Sequence, residues 1–355
     1  MAPGVRNARF QTVMPSADAS AELFKLTTEL VRIPSITGEE EVCCRFMADY
    51  LAGRGWEVEK LPVTPGRFDV FASHGKPEVV LSTHLDTVPP FLEAREDAEF
   101  IHGRGSCDAK GIAASQVSAA ERLVAEGVRD IGLLFVVGEE TLSDGARAAN
   151  LAPHGSKFLI DGEPTTNKLV LGTKGILRVD ICVRGKMAHS AYPALGESAI
   201  EKLLDLLNDV RKLSLPTHDL LGPTTLNIGV ISGGCAANVI PGEAQAQLLF
   251  RTVPRRQGEG SLQEQMQSLL KGRCEYQFVR DTPPVVTEKL DGFETDVVPF
   301  CTDLPSLTQW GRQFLLGPGN IDVAHTDHER VRKADLIEAV ELYCRLVRML
   351  KNRSN

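Results

Sequence analysis

The sequence predicts an α/β protein in which a mostly parallel sheet flanked by helices carries an inserted ferredoxin-like α+β domain. In the first half, short apolar runs of strand length alternate with helical patterns, which is typical of a parallel sheet covered on both faces. After Gly172-Thr173 the pattern changes to half-buried strands and two amphipathic helices, in the strand–helix–strand–strand–helix–strand order of a split βαβ unit. A length of 355 residues exceeds what one core usually supports, so two domains are expected.

Apolar periodicity locates the elements of the first domain. A helical pattern covers 21–54, with a break at Pro34-Ser35. Strands are predicted at 68–72, 79–82, 132–137 and 158–160, helices at 111–126 and 144–151, then a strand at 313–316 and a closing helix at 333–351. The first domain is therefore discontinuous, comprising 21–173 and 287–355.

The inserted domain is predicted to span 174–286 and to serve dimerisation or act as a lid. Its strands are expected at 176–184, 225–231, 244–251 and 275–279, and its helices at 198–213 and 262–270. Residues 1–20 lack the apolar core of a secretory signal, and we expect them to form a flexible N-terminal extension.

Composition narrows the class of protein. The chain has 39 basic and 47 acidic residues, a net charge of −8, and no long basic run, so nucleic-acid binding is not expected. No apolar stretch approaches the ~20 residues that span a bilayer, so no membrane partner is expected. Eight scattered cysteines without a CxxC pair are typical of a reduced protein, which predicts a cytoplasmic location.

The most informative segment is a predicted strand that ends at His84-Leu85-Asp86. Positions i and i+2 of a strand point to the same face, so His84 and Asp86 lie side by side. A metal-binding histidine usually donates its other ring N–H to a carboxylate, which fixes the tautomer and the orientation of the ring. The alternative for this tripeptide alone is a half-buried histidine beside a surface aspartate.

Four further segments present carboxylates or imidazole where strands end or loops begin. Asp108 lies in a glycine-rich loop before a helix, where a helix N-cap is the alternative. Glu139-Glu140 ends an apolar strand, although a solvated strand end would look similar. Glu163 follows another strand, and His325 follows the glycine-rich segment 317–320. The carboxyl ends of parallel strands meet at one edge of a sheet, so these groups are expected to converge.

Histidine and carboxylates without cysteine suit a hydrolytic site with two divalent metal ions, most simply zinc, with cobalt as an alternative. One shared aspartate between two ions ~3.5–4 Å apart can hold a hydroxide between them. A carboxylate next to a ligand is well placed to act as general base.

Together, in this order, these motifs resemble the co-catalytic zinc metallopeptidases and amidohydrolases. This family includes acetylornithine deacetylase, succinyl-diaminopimelate desuccinylase, the aminoacylases and glutamate carboxypeptidase, and the resemblance covers about residues 22–350. It implies a zinc-peptidase-like catalytic domain. It also implies that His84 and Glu163 are terminal ligands of one metal, that Glu140 and His325 are terminal ligands of the other, and that Asp108 bridges both. In addition it implies that Glu139 is the general base and that Asp86 orients His84. It also implies a cis peptide bond between Asp108 and Ala109.

The resemblance extends to the inserted domain. His189, in the segment 185–190, corresponds to a histidine that in dimeric members reaches the neighbouring subunit's active site and binds the carbonyl oxygen of the substrate. A surface-loop histidine is the alternative. Asn238 and Arg251 match contacts to a substrate carboxylate, for which the guanidinium fork is suited. A structural ion pair is the alternative for Arg251. The resemblance implies a homodimer.

Two positions depart from the family pattern. Gly138 stands where an aspartate often precedes the glutamate pair, and is expected to loosen the loop without removing a ligand. The apolar residues 248–250 precede Arg251 where polar residues are usual, which leaves the details of substrate contact open.

The segment 300–306 is similar to acetylornithine and acetyl-citrulline deacetylases, and Asp303 within it would suit a cationic side chain, as in N-acetylornithine or N-acetyl-lysine.

The predicted function is therefore metal-dependent hydrolysis of the amide bond of an N-acyl amino acid, by a hydroxide held between two metal ions, in amino-acid biosynthesis. A dipeptidase or carboxypeptidase of the same family, acting on short peptides, is the alternative. A catalytically inactive binding module would be expected to lack a ligand or the base, yet all six are present. The motifs of nucleotide-cofactor enzymes (GxGxxG, GxxxxGK) and of serine hydrolases (GxSxG) are absent from the sequence.

Overall fold

The computed structural model describes residues 17–354, except 257 and 259. In chain order its helices and strands are α1 (Ala17–Arg32), α2 (Glu41–Ala52), β1 (Glu57–Thr64), β2 (Arg67–His74), β3 (Val79–His84), β4 (Arg95–Glu96), β5 (Phe100–His102), α3 (Lys110–Ala125), β6 (Ile131–Val136), α4 (Asp144–Leu151), β7 (Phe158–Asp161), β8 (Leu169–Thr173), β9 (Gly175–Arg184), β10 (Ala188–His189), α5 (Ala199–Arg211), β11 (Thr217–His218), β12 (Gly222–Pro223), β13 (Thr225–Gly233), β14 (Val239–Ile240), β15 (Glu243–Thr252), α6 (Leu262–Leu270), β16 (Glu275–Thr282), β17 (Val285–Val286), β18 (Thr295–Val298), β19 (Arg312–Leu315), β20 (Arg330–Arg332) and α7 (Lys333–Ser354).

The chain divides into two compact units. The first comprises the described residues up to Leu169, Leu290–Thr295, and the chain from Ser306 onward; the second comprises Val170–Lys289 and Asp296–Pro305. The second unit contains the whole of the predicted insert and, in addition, 170–173, 287–289 and 296–305, which the sequence placed in the first domain. The reason is strand pairing, because β18 lies beside β8 in a small three-stranded sheet with β17.

A six-stranded sheet forms the centre of the first unit, in the order β1-β2-β6-β3-β7-β19. Strands β6, β3, β7 and β19 are parallel, whereas β2 is antiparallel to both of its neighbours. Every residue of β3 and β6 is buried, which explains why these strands have no polar–apolar alternation. Helix α3 contacts β3 and β6, while α2 and α4 contact β2. The predicted α/β class is confirmed.

The parallel strands determine where the polar side chains meet. His84 is the last residue of β3, Glu139 follows β6 closely, and Glu163 follows β7. Because these three strands are parallel and adjacent, their carboxyl ends lie along one edge of the sheet.

The second unit contains an antiparallel sheet in the order β13-β15-β9-β16. One face of β9 is apolar, with Leu177, Val179, Ile181 and Val183 at alternate buried positions. These residues share a core with the buried faces of α5 and α6. The sequence and sheet orders are those of the predicted split βαβ unit.

Other differences from the sequence-based expectations include the start of the first helix and several strands. Helix α1 begins at Ala17, so residues 17–20 are helical; the rest of the expected extension, 1–16, lies outside the described residues. Strand β1 was not predicted, because it is a partly exposed edge strand with polar residues at half of its positions. The short strands β4, β5 and β20 were also missed, since two or three residues carry no periodicity.

Over the described part of the chain, no helix is long and apolar enough to cross a membrane. All eight cysteines lie within this part and are free thiols.

Candidate metal centre

His84 is fixed at the end of β3 by the residue two positions further on. Its Nδ1 lies 3.0 Å from the Asp86 carbonyl oxygen and 3.5 Å from Asp86 Oδ1. A carbonyl oxygen can only accept, so Nδ1 carries a proton and Nε2 is the ring nitrogen that would bind a metal ion. The closest contact that orients the His84 ring is therefore made by the backbone carbonyl of Asp86, and the Asp86 carboxylate lies further away.

The Asp86 carboxylate also binds other partners. Its Oδ1 accepts a hydrogen bond from the Glu139 amide at 3.1 Å, and its Oδ2 accepts from the Glu140 amide at 3.2 Å and the Thr37 hydroxyl at 2.7 Å. Asp86 is completely buried. It therefore links the end of β3 to the loop that follows β6.

Asp108 lies between two histidines. Its Oδ1 is 2.9 Å from His84 Nε2, and its Oδ2 is 3.3 Å from His325 Nε2. Although burial opposes ionisation, hydrogen bonds from His325 and His84 hold the pKa of Asp108 well below its usual value. The peptide bond between Asp108 and Ala109 is cis, as expected. Each carboxylate oxygen faces a different imidazole, which is the arrangement that a bridging ligand requires.

Glu140 and His325 complete the cluster around Asp108. His325 Nε2 lies 3.0 and 2.9 Å from the two Glu140 carboxylate oxygens. These contacts with Asp108 and Glu140 raise the pKa of His325 to about 10. One ligand atom each from His84, Asp108 and Glu140 lie within 4.8 Å of one another.

Glu163 and Glu139 add two further carboxyl groups to the site. Glu163 is 5% exposed, and burial raises the pKa of its carboxyl well above the usual value, with Glu139 and Asp108 raising it further. Burial likewise raises the pKa of Glu140. Divalent cations would offset this repulsion among buried carboxylates, so the donor set fits the expected metal ions. The assignment of each ligand to one ion remains a prediction.

Glu329 is a residue of the site that was not predicted from the sequence. Its Oε1 accepts hydrogen bonds from the amides of Gly105, Cys107 and Asp108 at 2.9, 3.1 and 3.1 Å. Its Oε2 is bound by Arg104 Nη1, and both side chains are almost completely buried. Glu329 stands at the end of the predicted metal-binding segment 325–329. No local sequence pattern distinguishes it from a surface glutamate.

Pairing of β20 with β5 brings Glu329 to this loop. Arg330 lies opposite His102, so the residues just before β20 meet those just after β5. Glu329 consequently ties the segment carrying His325 to the loop carrying Asp108.

The second unit contains the remaining predicted residues. His189 in β10 is paired with Val239 in β14, and the Ser190 amide donates to the Asn238 carbonyl oxygen at 3.0 Å, so His189 and Asn238 are neighbours. Arg251 lies near one end of β15, about 26 Å from Glu243 at the other end of that strand at ~3.3 Å per residue. Within this unit, therefore, Arg251 is separated from the other two.

Asp303 also belongs to the second unit, in the segment 296–305, and is buried. A carboxylate that binds a cationic substrate at the protein surface is expected to be more exposed than Asp303. Its proposed role remains a prediction.

Comparison with known proteins gives the family. A Schizosaccharomyces pombe protein named as containing a peptidase M20 domain is 38% identical over 349 aligned positions, covering 95% of this chain and 86% of that protein. A Neosartorya fischeri protein named as a probable carboxypeptidase is 38% identical, covering 94% of this chain and 88% of its own length. The chain belongs to the M20 peptidase family. Residues 171–275 of this M20 peptidase match the family's peptidase dimerisation domain.

Solved structures agree on the fold. Aminopeptidase PepT from Bacillus cereus is similar with a TM-score of 0.78 and 20% identity, covering 94% of this chain and 99% of that one. The di-peptidase Dug1p from Saccharomyces cerevisiae gives 0.71 and 15%, with 94% and 97% covered. As an M20 peptidase, the protein is a metal-dependent hydrolase of peptide or amide bonds, with a candidate metal site in its first unit.

Proposed function

We propose that this M20 peptidase is an exopeptidase that releases a C-terminal amino acid from a dipeptide or short peptide. The observation that carries the proposal is the buried Asp108 carboxylate between His84 and His325, with Glu140 beside it. The relatives named as probable carboxypeptidases, aligned over nearly the whole chain, favour a peptide over an N-acyl amino acid. The peptidase alternative is thus preferred to the deacetylase that the sequence alone suggested.

Two divalent ions, zinc by preference, would be held by the five ligands named above. When bound, they would supply Lewis acidity and lower the pKa of a water molecule toward neutrality. Glu139 would take a proton from the attacking water at a carboxylate oxygen and pass it to the amine nitrogen as the amide C–N bond breaks. The Asp86 carboxylate holds the Glu139 amide, which fixes the backbone of the base.

The substrate-binding roles of His189, Asn238 and Arg251 are part of the same proposal. Arg251 would bind the free carboxylate that a C-terminal residue and an N-acyl amino acid share. His189 would stabilise the carbonyl oxygen as it gains negative charge. We also infer a homodimer, supported by the match of 171–275 to a dimerisation domain.

The test is a substrate panel with purified protein that has been stripped by chelator and reloaded with zinc. The panel contains free dipeptides, N-blocked dipeptides, N-acetylornithine and N-acetyl-lysine. We expect the highest kcat/KM for a peptide and no turnover before reloading. A preference for N-acetylated basic amino acids would instead support the deacetylase and a role for Asp303.

Glu139→Gln tests the base directly. It should retain zinc and lose at least about 10²-fold in kcat, the size typical of general-base removal. Glu39→Gln, at an exposed position on a different loop, is the matched control and should keep wild-type turnover. Full activity in Glu139→Gln would refute its assignment as the base.

A further inference from the structure

The loop after β6 lies beside a network of three charged side chains: Arg67, Glu40 and Asp144. Arg67 Nε and Nη2 donate to the two Glu40 oxygens at 2.8 and 2.7 Å. Its Nη1 and Nη2 also donate to Asp144 at 2.5 and 3.2 Å. The Glu40 side chain is fully buried and that of Arg67 is 15% exposed. Arg67 therefore joins the residue before α2, the start of β2 and the start of α4.

Gly138, the second residue after β6, fits against the network only because it has no side chain. It has φ of +79°, and an ideal Cβ would lie 1.8 Å from Asp144 Oδ1 and 3.0 Å from Arg67 Nη2. The Asp144 carboxylate thus occupies the space of a side chain at position 138. Instead of a looser loop, the glycine permits a close contact with a charged partner.

Backbone hydrogen bonds close the same loop. The Gly138 carbonyl oxygen accepts from the Ser143 amide at 2.7 Å, and the Gly145 amide donates to the Val137 carbonyl oxygen at 3.1 Å. On the other side, Asp86 accepts from the amides of the two glutamates. The Glu139-Glu140 peptide is therefore held between Asp86 and the Arg67–Asp144 pair.

We propose that the Arg67–Asp144 ion pair positions Glu139 and Glu140, and that Arg67 and Asp144 are positioning residues of the reaction. The inference rests on the proposed function, since it takes Glu139 as the base and Glu140 as a metal ligand. Reaction rates are sensitive to displacements of about 1 Å in such groups, so a partly released loop should lower kcat more than it changes KM.

Asp144→Ala is the discriminating variant. Arg67 keeps both contacts with Glu40, so the buried charges remain paired and the fold is expected to persist. We expect kcat to fall about 10- to 100-fold, with KM within about twofold, and zinc affinity to weaken about tenfold, the scale seen when groups supporting metal ligands are removed.

Glu341→Ala is the matched control. Arg122 also binds two carboxylates, Glu126 and Glu341, in the first unit, and would keep Glu126 after the substitution. This variant removes an ion pair of the same kind, without contact to the loop. A similar change in Tm with wild-type kcat and zinc affinity would separate positioning from a general loss of stability.

A second pair of variants moves the carboxylate. Gly138→Asp alone places a side chain against Asp144 and should lower kcat about 100-fold. Combining it with Asp144→Gly lets the new carboxylate reach Arg67, and should recover at least tenfold of that loss. Aspartate tolerates positive φ better than most residues, which makes the exchange feasible.

The outcomes distinguish the two proposals. Wild-type kcat and zinc affinity in Asp144→Ala would overturn the positioning role even if the enzyme is an active peptidase. If the wild-type protein cleaves no substrate of the panel, the proposed function fails. Weaker zinc binding by Asp144→Ala, measured by competition with a chromophoric chelator, would still support the positioning role in that case.

Discussion

Replacing Glu329 should show how much of the site depends on one buried carboxylate. Glu329→Ala removes an acceptor from three backbone amides and leaves Arg104 buried without its partner. Hydrogen bonds to charged groups contribute about 1.5–3 kcal/mol each, and removing one member of a buried ion pair costs about 3–5 kcal/mol. These contributions overlap, so we expect a loss of about 4 kcal/mol and, with an unfolding entropy of about 2.1 cal/mol/K per residue over the whole chain, a Tm lower by about 5 °C.

Two further variants separate the amides from the ion pair. Glu329→Gln keeps an oxygen acceptor for the amides, and should cost only about 1–2 kcal/mol. The double variant Arg104→Met with Glu329→Leu removes both charges, which often restores stability to a protein with a simple buried ion pair. Here we expect about 3 kcal/mol of the loss to remain, because the three amides stay unsatisfied.

The assay is thermal unfolding with and without zinc, together with zinc affinity by chelator competition. Because one of the three amides belongs to Asp108, zinc should bind about 10- to 100-fold more weakly to Glu329→Ala. A double variant as stable as the wild type would refute the reasoning, since it would show that the amides need no acceptor.

Three other substitutions test neighbouring features. Asp86→Ala should weaken zinc binding about 10- to 100-fold in the same chelator assay, because it frees the amides of both glutamates after β6; unchanged affinity would contradict this role. Gly145→Ala should cost about 1–3 kcal/mol in urea unfolding, because its Cβ would lie 2.3 Å from the Val137 carbonyl oxygen. Burial raises the pKa of Glu121 to about 7, so the folded state binds this proton more tightly than the unfolded state and the free energy of unfolding falls as pH rises from about 4.5 to 7. Glu121→Gln should remove about 1–2 kcal/mol of that fall after allowance for partial exposure, as measured by urea unfolding at pH 5 and 8; identical pH profiles would contradict it.

Much of the fold was predictable because its elements have a periodic or fully apolar signature. Helices α4 and α6 match their predicted ranges, since each has an apolar face at helical spacing. Strand β3 appeared as an unbroken apolar run because both of its faces are covered. Strand β1 was missed because pairing with β2, rather than its own composition, makes it a strand.

The sequence by itself determined which chemical groups are available and the strand ends at which they stand. His84, Asp108, Glu140 and His325 could be named from motif and order, because ligand chemistry depends on residue type. Tertiary structure alone decided the contacts that hold them. Glu329 meets Arg104 across 225 positions of sequence, through the pairing of β20 with β5.

Gly138 is a second case in which the sequence and the tertiary structure determine different properties of the site. In the sequence it was a missing aspartate, which predicted a looser loop. In the structure the Asp144 carboxylate fills the space where its side chain would be, and Arg67 holds that carboxylate from another strand. Steric space and ion pairing depend on residues brought together only by folding, so neither could be inferred from the residues flanking the glycine.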